Sequence, residues 1–413
     1  MPSTASSTLR TLAVLLGCVL AGQASADGNG TTFYTTADTI QVGQPVELVA
    51  TAPAGLTLVN RFDFYGDTED FFTSESLCEN VTATTIGNQW TARCTATFAE
   101  ARVHYLYAAI GTPGSNERSS AGTYVVQNVV ASTPFDANQF ALTGSWYNPP
   151  TSGQGLEIQV YPDLHGAGAG RVFVGWFTYD ASGNPQWVTL EGELASSHGS
   201  SYELTIYQNT GGNFNASPAT QSVVDGTATL TFYDCGHAAL TYHFNDGRTG
   251  TIAYVRLTAS SACSSAVPAV APAQLPANQN DVLHSGAWFN PATSGQGLAI
   301  DIVPAQTTFF AAWYTYAPQT EGITGLLGQR WFILWDPAYT PGDLHLDHVA
   351  ILATSGGIFN VPSDVPETQV GTADITFTSC NTMTLKYNFT QGEFNGLSGT
   401  INEQTVVPVS GCQ

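Results

Sequence analysis

The feature that most constrains this chain is the duplication of a whole domain. The segment GSWYNPPTSGQGL at 144–156 recurs as GAWFNPATSGQGL at 286–298. Shorter matches follow in the same order: WFTY at 176–179 with WYTY at 313–316, GGNF at 211–214 with GGIF at 356–359, and GTATLTF at 226–232 with GTADITF at 371–377. The spacing of the two copies far exceeds the roughly 20–50 residues of solenoid repeats. One complete domain has therefore been copied.

Each copy has the pattern of an all-β domain. Residues 171–179 carry apolar side chains on both faces of an alternating pattern, which indicates a strand covered on both sides. The segments 202–207 and 227–232 are rich in β-branched and aromatic residues with a period of two. Residues 180–185 form a polar turn typical of a hairpin. We count about eight such runs per copy, as expected of an antiparallel barrel or sandwich.

The segment before the copies, residues 27–131, has different motifs. It contains GQPVEL at 43–48, RFDFY at 61–65 and RVHYLYAA at 102–109. These motifs resemble those of bacterial immunoglobulin-like domains. The resemblance implies a β-sandwich that acts as a spacer or adhesive module.

The duplicated unit also resembles a known group. Its GxWYNPxxSGQG opening and its WYTY strand resemble a recurrent domain of secreted proteobacterial proteins, and this resemblance implies no particular activity. Copy one keeps the hairpin pattern WFTYDASGNPQW at 176–187, whereas copy two has a longer loop over 317–330. A shorter similarity, in the GxWYN opening, is to avidin-type barrels, and it is too short to imply biotin binding.

The predicted fold class is all-β, with an N-terminal immunoglobulin-like sandwich followed by two homologous antiparallel β-barrels or sandwiches. The proline-rich segment between the copies is expected to be extended and semi-rigid, and to set their spacing. The predicted divisions are a signal peptide at 1–26, the immunoglobulin-like domain at 27–131, copy one at 139–263, a Pro/Ala-rich linker at 264–281 and copy two at 282–413.

The N-terminus and the cysteines predict export. Arg10 precedes an apolar run at 12–20, and Ala-Ser-Ala at 24–26 is a cleavage signature. A lipobox ending at Cys18 is the alternative. The other six cysteines fall two to a segment, which indicates disulfides formed in an oxidising compartment, whether periplasm, cell surface or medium. The duplication favours the pairs Cys78–Cys94, Cys235–Cys263 and Cys380–Cys412.

The charge composition argues against two classes of partner. The formal net charge is −22, and Lys386 is the single lysine. Such a surface repels phosphate backbones and anionic lipids, so neither nucleic acid nor a membrane surface is an expected partner. After the signal peptide no apolar run reaches the length of a transmembrane helix. The sequence gives no indication of the oligomeric state.

The two Ser-Gly-Gln-Gly loops are the most distinctive candidates for a binding site. Their glycines suit a tight turn before a strand, and a polar loop that contacts a ligand is the functional alternative. Seven of the eight tryptophans lie in the copies and most should be core, with Trp187 and Trp335 expected to be exposed and to stack on sugar rings. The predicted ligand-binding residues are Asn148, Ser152, Gln154 and Trp187 in copy one and Asn290, Ser294, Gln296 and Trp335 in copy two.

Metal and catalytic sites have less support. An alternating row of Asp343, His345 and Asp347, or the acids within 67–70, could bind Ca²⁺ or another divalent cation, but a solvated polar face is the simpler interpretation and no cofactor is predicted. No nucleophile elbow, zinc-protease motif or phosphate loop occurs. The sequence predicts a secreted or cell-surface, non-catalytic binding protein for a glycan or another extracellular polymer. The alternatives are a secreted carboxylate-dependent hydrolase and a structural envelope or assembly protein.

Overall fold

The chain folds into two compact units, Met1–Thr133 and Pro134–Gln413, each described by itself below. The structure is a computed structural model, and it describes residues 24–26, 31–53, 61–67, 74–86, 88–111, 118–120, 124–131, 135–216, 218, 220–258, 263–266, 279–318, 325–361 and 365–408.

The first unit is a β-sandwich with the immunoglobulin strand order. One sheet has the order β1-β2-β4-β8-β7, and the other has the order β3-β11-β9-β5-β6 with β10 paired to β9. These orders correspond to the ABED and GFC sheets of that fold, which confirms the predicted class. The strands are β1 Ala24–Ala26, β2 Thr32–Thr35, β3 Thr39–Gln41, β4 Val46–Pro53, β5 Arg61–Asp67, β6 Ser74–Thr82, β7 Thr84–Ile86, β8 Gln89–Ala96, β9 Arg102–Gly111, β10 Arg118–Ser120 and β11 Val125–Val130.

Apolar side chains from both sheets fill one core. Leu48 and Phe33 from the first sheet and Phe62 and Leu106 from the second are completely buried there. The strand β1 coincides with the predicted cleavage signature, so cleavage after it would leave β2 as the edge of its sheet. The rest of the predicted signal peptide, with Cys18, lies outside the described residues.

Each copy forms a closed, eight-stranded antiparallel barrel in which every strand pairs with the next and the last pairs with the first. The strand count and the order agree between the copies, as the duplication predicts. Barrel one consists of β12 Gly144–Tyr147, β13 Gly155–Tyr161, β14 Arg171–Tyr179, β15 Pro185–Leu194, β16 Ser201–Thr210, β17 Gln221–Phe232, β18 His237–Phe244 and β19 Thr249–Arg256. Barrel two consists of β20 Gly286–Phe289, β21 Gly297–Val303, β22 Thr308–Tyr316, β23 Gln329–Asp336, β24 His345–Thr354, β25 Glu367–Ser379, β26 Thr382–Phe389 and β27 Ser398–Thr405.

The end of the predicted linker belongs to barrel two. Gln279–Leu283 forms a short helix, α1, instead of extended chain. Asp281 on this helix is buried, and its carboxylate accepts a hydrogen bond from the Gly342 backbone N–H at 2.7 Å. The two barrels also pack directly against each other, so the expectation that the linker sets their spacing is wrong. Residues 267–278 of the linker lie outside the described residues.

The disulfides support the predicted pairing. Cys78 and Cys94 join β6 to β8 across the sandwich, and Cys235 pairs with Cys263 in barrel one. Cys380 is disulfide-bonded, and its predicted partner Cys412 lies outside the described residues. In the part of the chain that the structure describes, no helix is long and apolar enough to cross a membrane.

Candidate functional site

The motifs shared by the copies meet where the two barrels touch. On β14 the side chains of Val174 and Trp176 point into barrel one, and Phe177 and Tyr179 lie in a separate cluster outside it. We call this cluster the seam. Its buried members are Phe177, Tyr179 and Trp187 from barrel one and Ala312, Tyr314, Tyr316, Trp331 and Ile333 from barrel two. The seam explains why the β14 sequence is apolar on both faces, since one face fills a barrel and the other contacts its partner barrel.

The two tryptophans of the seam occupy equivalent positions and make equivalent contacts. Trp187 lies opposite Phe177 in the first barrel, and Trp331 lies opposite Tyr314 in the second. The Trp187 indole N–H donates to the Thr315 carbonyl at 3.3 Å, and the Trp331 indole N–H donates to the Thr178 carbonyl at 3.3 Å. The seam therefore has an approximate two-fold symmetry like that of a homodimer interface.

The glutamines of the Ser-Gly-Gln-Gly loops link each barrel to a turn of the other. Gln154 Nε2 donates to the Ile358 carbonyl at 3.0 Å, and its Oε1 accepts from the Asn360 N–H at 3.2 Å. Gln296 makes the same pair of bonds, to the Asn213 carbonyl at 2.8 Å and from the Asn215 N–H at 3.1 Å. The loop is thus a clamp between domains.

The turns held by these glutamines carry a phenylalanine into the opposite barrel. Phe214 of copy one joins the core of barrel two, with its ring centroid 4.9 Å from Phe394 and 5.6 Å from Trp313. Phe359 of copy two packs on the core of barrel one, with its centroid 5.3 Å from Trp176. We call Phe214 and Phe359 the plugs. Each barrel is therefore completed by a side chain from the other copy.

The Gly-Gly pair before each plug has a steric role. The second glycine of each pair lies against a tyrosine of the opposite barrel, Gly212 against Tyr316 and Gly357 against Tyr179. A Cβ atom at either glycine would overlap the tyrosine ring. The motif Gly-Gly-x-Phe was visible as a shared segment in the sequence, but its spacing alone did not reveal that it inserts into another domain.

Lateral contacts between β13 and β20, and between β21 and β12, repeat the symmetry. Asp301 accepts hydrogen bonds from the Ser145 backbone N–H at 3.1 Å and from the Thr258 hydroxyl at 2.9 Å. At the equivalent position, Gln159 accepts from the Ala287 backbone N–H. The two barrels are therefore joined through backbone, side-chain and aromatic contacts at once.

Most of the predicted ligand-binding residues are engaged inside the protein. Trp187 is buried at 1% exposure, so the expectation that it stacks on a ligand is wrong. Gln154 and Gln296 are buried in the inter-barrel clamp. Asn148 is also buried, and its amide donates to the Ala253 carbonyl at 2.8 Å. Asn290 accepts a hydrogen bond from the Ala292 N–H at 2.9 Å, which makes it the N-cap of a short turn.

Three of the predicted residues are accessible, namely Ser152, Ser294 and Trp335. Trp335 is 42% exposed, whereas the other tryptophans of the barrels are at most 4% exposed. It lies on β23 opposite Phe310 of β22, on the outer face of barrel two. The equivalent positions in barrel one are Glu191 and Phe173, so the exposed indole is specific to copy two.

Two buried carboxyls have perturbed pKa values. Burial raises the pKa of Glu403, on β27 opposite Met383, to about 8. One of its carboxyl oxygens has no hydrogen-bond partner among the described residues. Burial, and next the nearby charge of Asp301, raise the pKa of Glu157 well above its ordinary value. Glu403 therefore tends to retain a proton at neutral pH, and Glu157 ionises less readily than a solvated carboxyl.

The proposed metal ligands are used otherwise. Asp67 accepts a hydrogen bond from the Arg102 guanidinium at 2.8 Å, and the other acids of that loop lie outside the described residues. His345 contacts the Thr376 hydroxyl at 3.0 Å. Within the described ranges, no group of three or more His, Cys, Asp or Glu side chains is arranged to hold a metal ion.

Comparison with known proteins gives little further information. No protein-family model matches the chain, and no curated protein matches it. One solved structure that aligns with it is a DUF4784 family protein from Bacteroides caccae, at 11% identity over 90% of this chain and 92% of that one. The TM-score of 0.14 is too low for this similarity to support any inference about fold or function.

Proposed function

We propose that this chain is an exported, non-catalytic binding protein in which the double barrel binds an extracellular polymer, a glycan first, through the face around Trp335. The observation that carries the proposal is the exposure of this one indole, at 42%, among barrel tryptophans that are otherwise buried. A solvent-exposed indole forgoes a large gain from burial. Its presence on an outer barrel face is therefore typical of a surface that stacks on a ligand.

The comparison between the copies supports this role. At the Trp335 position barrel one has Glu191, whose carboxylate pairs with the Arg171 guanidinium at 2.7 Å. In barrel one this position therefore carries an ion pair that faces solvent. The barrel fold does not require an aromatic residue there. Trp335 and the neighbouring half-buried Phe310 form an apolar strip, whereas barrel one keeps Phe173 at the Phe310 position but has the charged Glu191 in place of the indole. The strip suits the flat, apolar faces of sugar rings.

The use of the shared motifs supports a non-catalytic role. Reciprocal contacts show that the shared motifs join the two barrels. These contacts are made by the clamp glutamines, the seam tryptophans and the plugs. A secreted hydrolase is the second candidate, because Glu157 combines a raised pKa with a position on a cleft beside Asp301. Against it, Asp301 already accepts two hydrogen bonds and does not line that cleft. A structural assembly protein is the third candidate.

Binding to a panel of insoluble polysaccharides tests the proposal. We expect Trp335→Ala to weaken binding about tenfold or more, as loss of a central aromatic contact does, and to leave the thermal midpoint nearly unchanged because the indole is exposed. The matched control is Glu191→Ala, which changes the equivalent position of barrel one and should leave binding intact. Equal binding by wild type and Trp335→Ala would reject the site. Release of soluble sugar in the same incubations would favour the hydrolase.

A further inference from the structure

A cleft opens beside the seam, between the two barrels. Its volume is about 350 Å³, and it lies between β12–β13 of barrel one and the outer face of β22–β23 of barrel two. Four of the aromatic rings along its walls belong to Tyr147, Phe177, Phe310 and Trp331. The volume is within the range of about 300–1,000 Å³ that is typical of small-molecule sites.

Three buried polar side chains also line this cleft, namely Gln154 of the clamp, Ser145 and Glu157. Ser145 and Glu157 are cross-strand neighbours on β12 and β13, at 3% and 6% exposure. The Ser145 hydroxyl lies beside the Glu157 carboxyl, and its hydrogen bond to that carboxyl acts to lower the pKa of Glu157. A carboxyl that is buried among apolar and aromatic side chains has lost its hydration, so a cation that enters the cleft would meet a poorly solvated counter-charge.

The charges around the cleft are mainly negative. Asp301 of β21 and Arg256 of β19 act electrostatically on Glu157, and Glu367 of β25 lies exposed on the lining. Among the described residues that line the cleft there is no lysine or arginine. Burial and then the charge of Asp301 raise the pKa of Glu157, and the hydrogen bond from Ser145 and the charge of Arg256 oppose them only in part. An added positive charge would reverse this balance.

The second copy lacks these polar groups at the equivalent place. Ala299 stands where Glu157 stands in copy one, and Ala287 stands where Ser145 stands. Barrel two forms the same strand pair with alanines at both positions. The barrel fold therefore does not require Ser145 and Glu157. The buried carboxyl and hydroxyl are therefore specific to copy one, and both line the cleft.

We propose that this cleft binds a small organic cation, an amine or quaternary ammonium group on an apolar body. Aromatic faces attract such cations, and a carboxylate beside them supplies the counter-charge. An anion would meet two carboxyl groups and no basic residue. When the cation binds, the Glu157 O–H bond breaks, its proton passes to solvent, and the carboxylate pairs with the ammonium group. This cleft is a second site beside the Trp335 face, and Phe310 borders both.

Titration calorimetry with choline tests the proposal. The neutral probe is the isostere of choline in which a quaternary carbon replaces the nitrogen. We expect choline to bind wild-type protein on the order of tenfold more tightly than the isostere. Measurements in buffers of different ionisation enthalpy should show the release of up to about one proton per choline bound near neutral pH.

Glu157→Gln separates the charge from the shape of the cleft. This variant keeps the size and the neutral state of the empty site, so it should fold normally. It should bind choline about tenfold or more weakly and release no proton, while its affinity for the isostere stays unchanged. Glu203→Gln, which alters an exposed carboxylate on the same barrel, is the control and should match wild type. Absence of choline binding to wild type, equal affinity for both probes, or choline binding without proton release would overturn the proposal.

Discussion

Replacement of Phe214 by alanine tests how far the barrels depend on each other. This plug is 8% exposed, and its ring lies within 4.9–6.0 Å of the centroids of Trp313, Tyr387, Phe389 and Phe394 in barrel two. Removal of a buried phenylalanine ring costs about 3–5 kcal/mol when the site cannot collapse. The ring belongs to copy one, but the cavity would form in barrel two. The substitution should therefore destabilise barrel two and weaken its docking to barrel one.

Urea unfolding followed by tryptophan fluorescence measures this cost. We expect Phe214→Ala to lower the free energy of unfolding by about 3 kcal/mol and to separate the transitions of the two barrels, because it weakens the contact that couples them. The control is Ile358→Ala, in the equivalent turn of copy two. Ile358 is 42% exposed, so the change should be within about 0.5 kcal/mol. A loss below about 1 kcal/mol for Phe214→Ala would refute the role of the plug.

Two further predictions concern the same assembly. The folded-state pKa of Glu403 is about 8, above its unfolded value, so the stability that its neutral form provides is complete below about pH 4.5 and is lost as the pH rises through 8. Unfolding free energies measured across this window should fall by up to about 1.4 kcal/mol per pH unit, and Glu403→Gln should flatten the slope; an unchanged slope would show that this carboxyl is not the cause. Gly357→Ala should destabilise docking by at least about 1 kcal/mol, because its Cβ atom would overlap the Tyr179 ring. Gly236→Ala should cost less, because its φ is not left-handed and the nearest atom to its Cβ would be Asp234 Oδ1 at 3.6 Å; equal losses would contradict the close approach.

The sequence was sufficient for the all-β class, for about eight strands in each copy and for the two described disulfide pairs, but it left the choice between barrel and sandwich open. Periodicity and turn residues located three strands and a hairpin turn of copy one and the strand count of each copy, and the duplication supplied the pairing of Cys235 with Cys263. Local pattern determines these features, because strand alternation and turn chemistry act over a few residues.

The candidate site could not be derived in the same way. The pattern of residues 171–179 showed that both faces of the strand are covered. The sequence of a strand does not reveal which other segment covers each face. Trp187 follows a turn, as exposed ligand-binding residues often do, yet its indole is buried by the other barrel. Gln154 and Phe214 contact segments of the opposite copy. Contacts between residues so far apart in sequence produce no periodic pattern in the sequence around either residue. The repeated Gly-Gly-x-Phe and Ser-Gly-Gln-Gly segments were the only available signal.

Cleavage of the linker measures the central claim, that each barrel is completed by the other. A protease site inserted within 267–278 and cut in the folded protein should leave the two halves together on size-exclusion chromatography at micromolar concentration. They should separate only in denaturant. This follows because the plugs, clamps and seam hold the halves without the covalent connection. Separate elution of two folded halves in native buffer would contradict the claim.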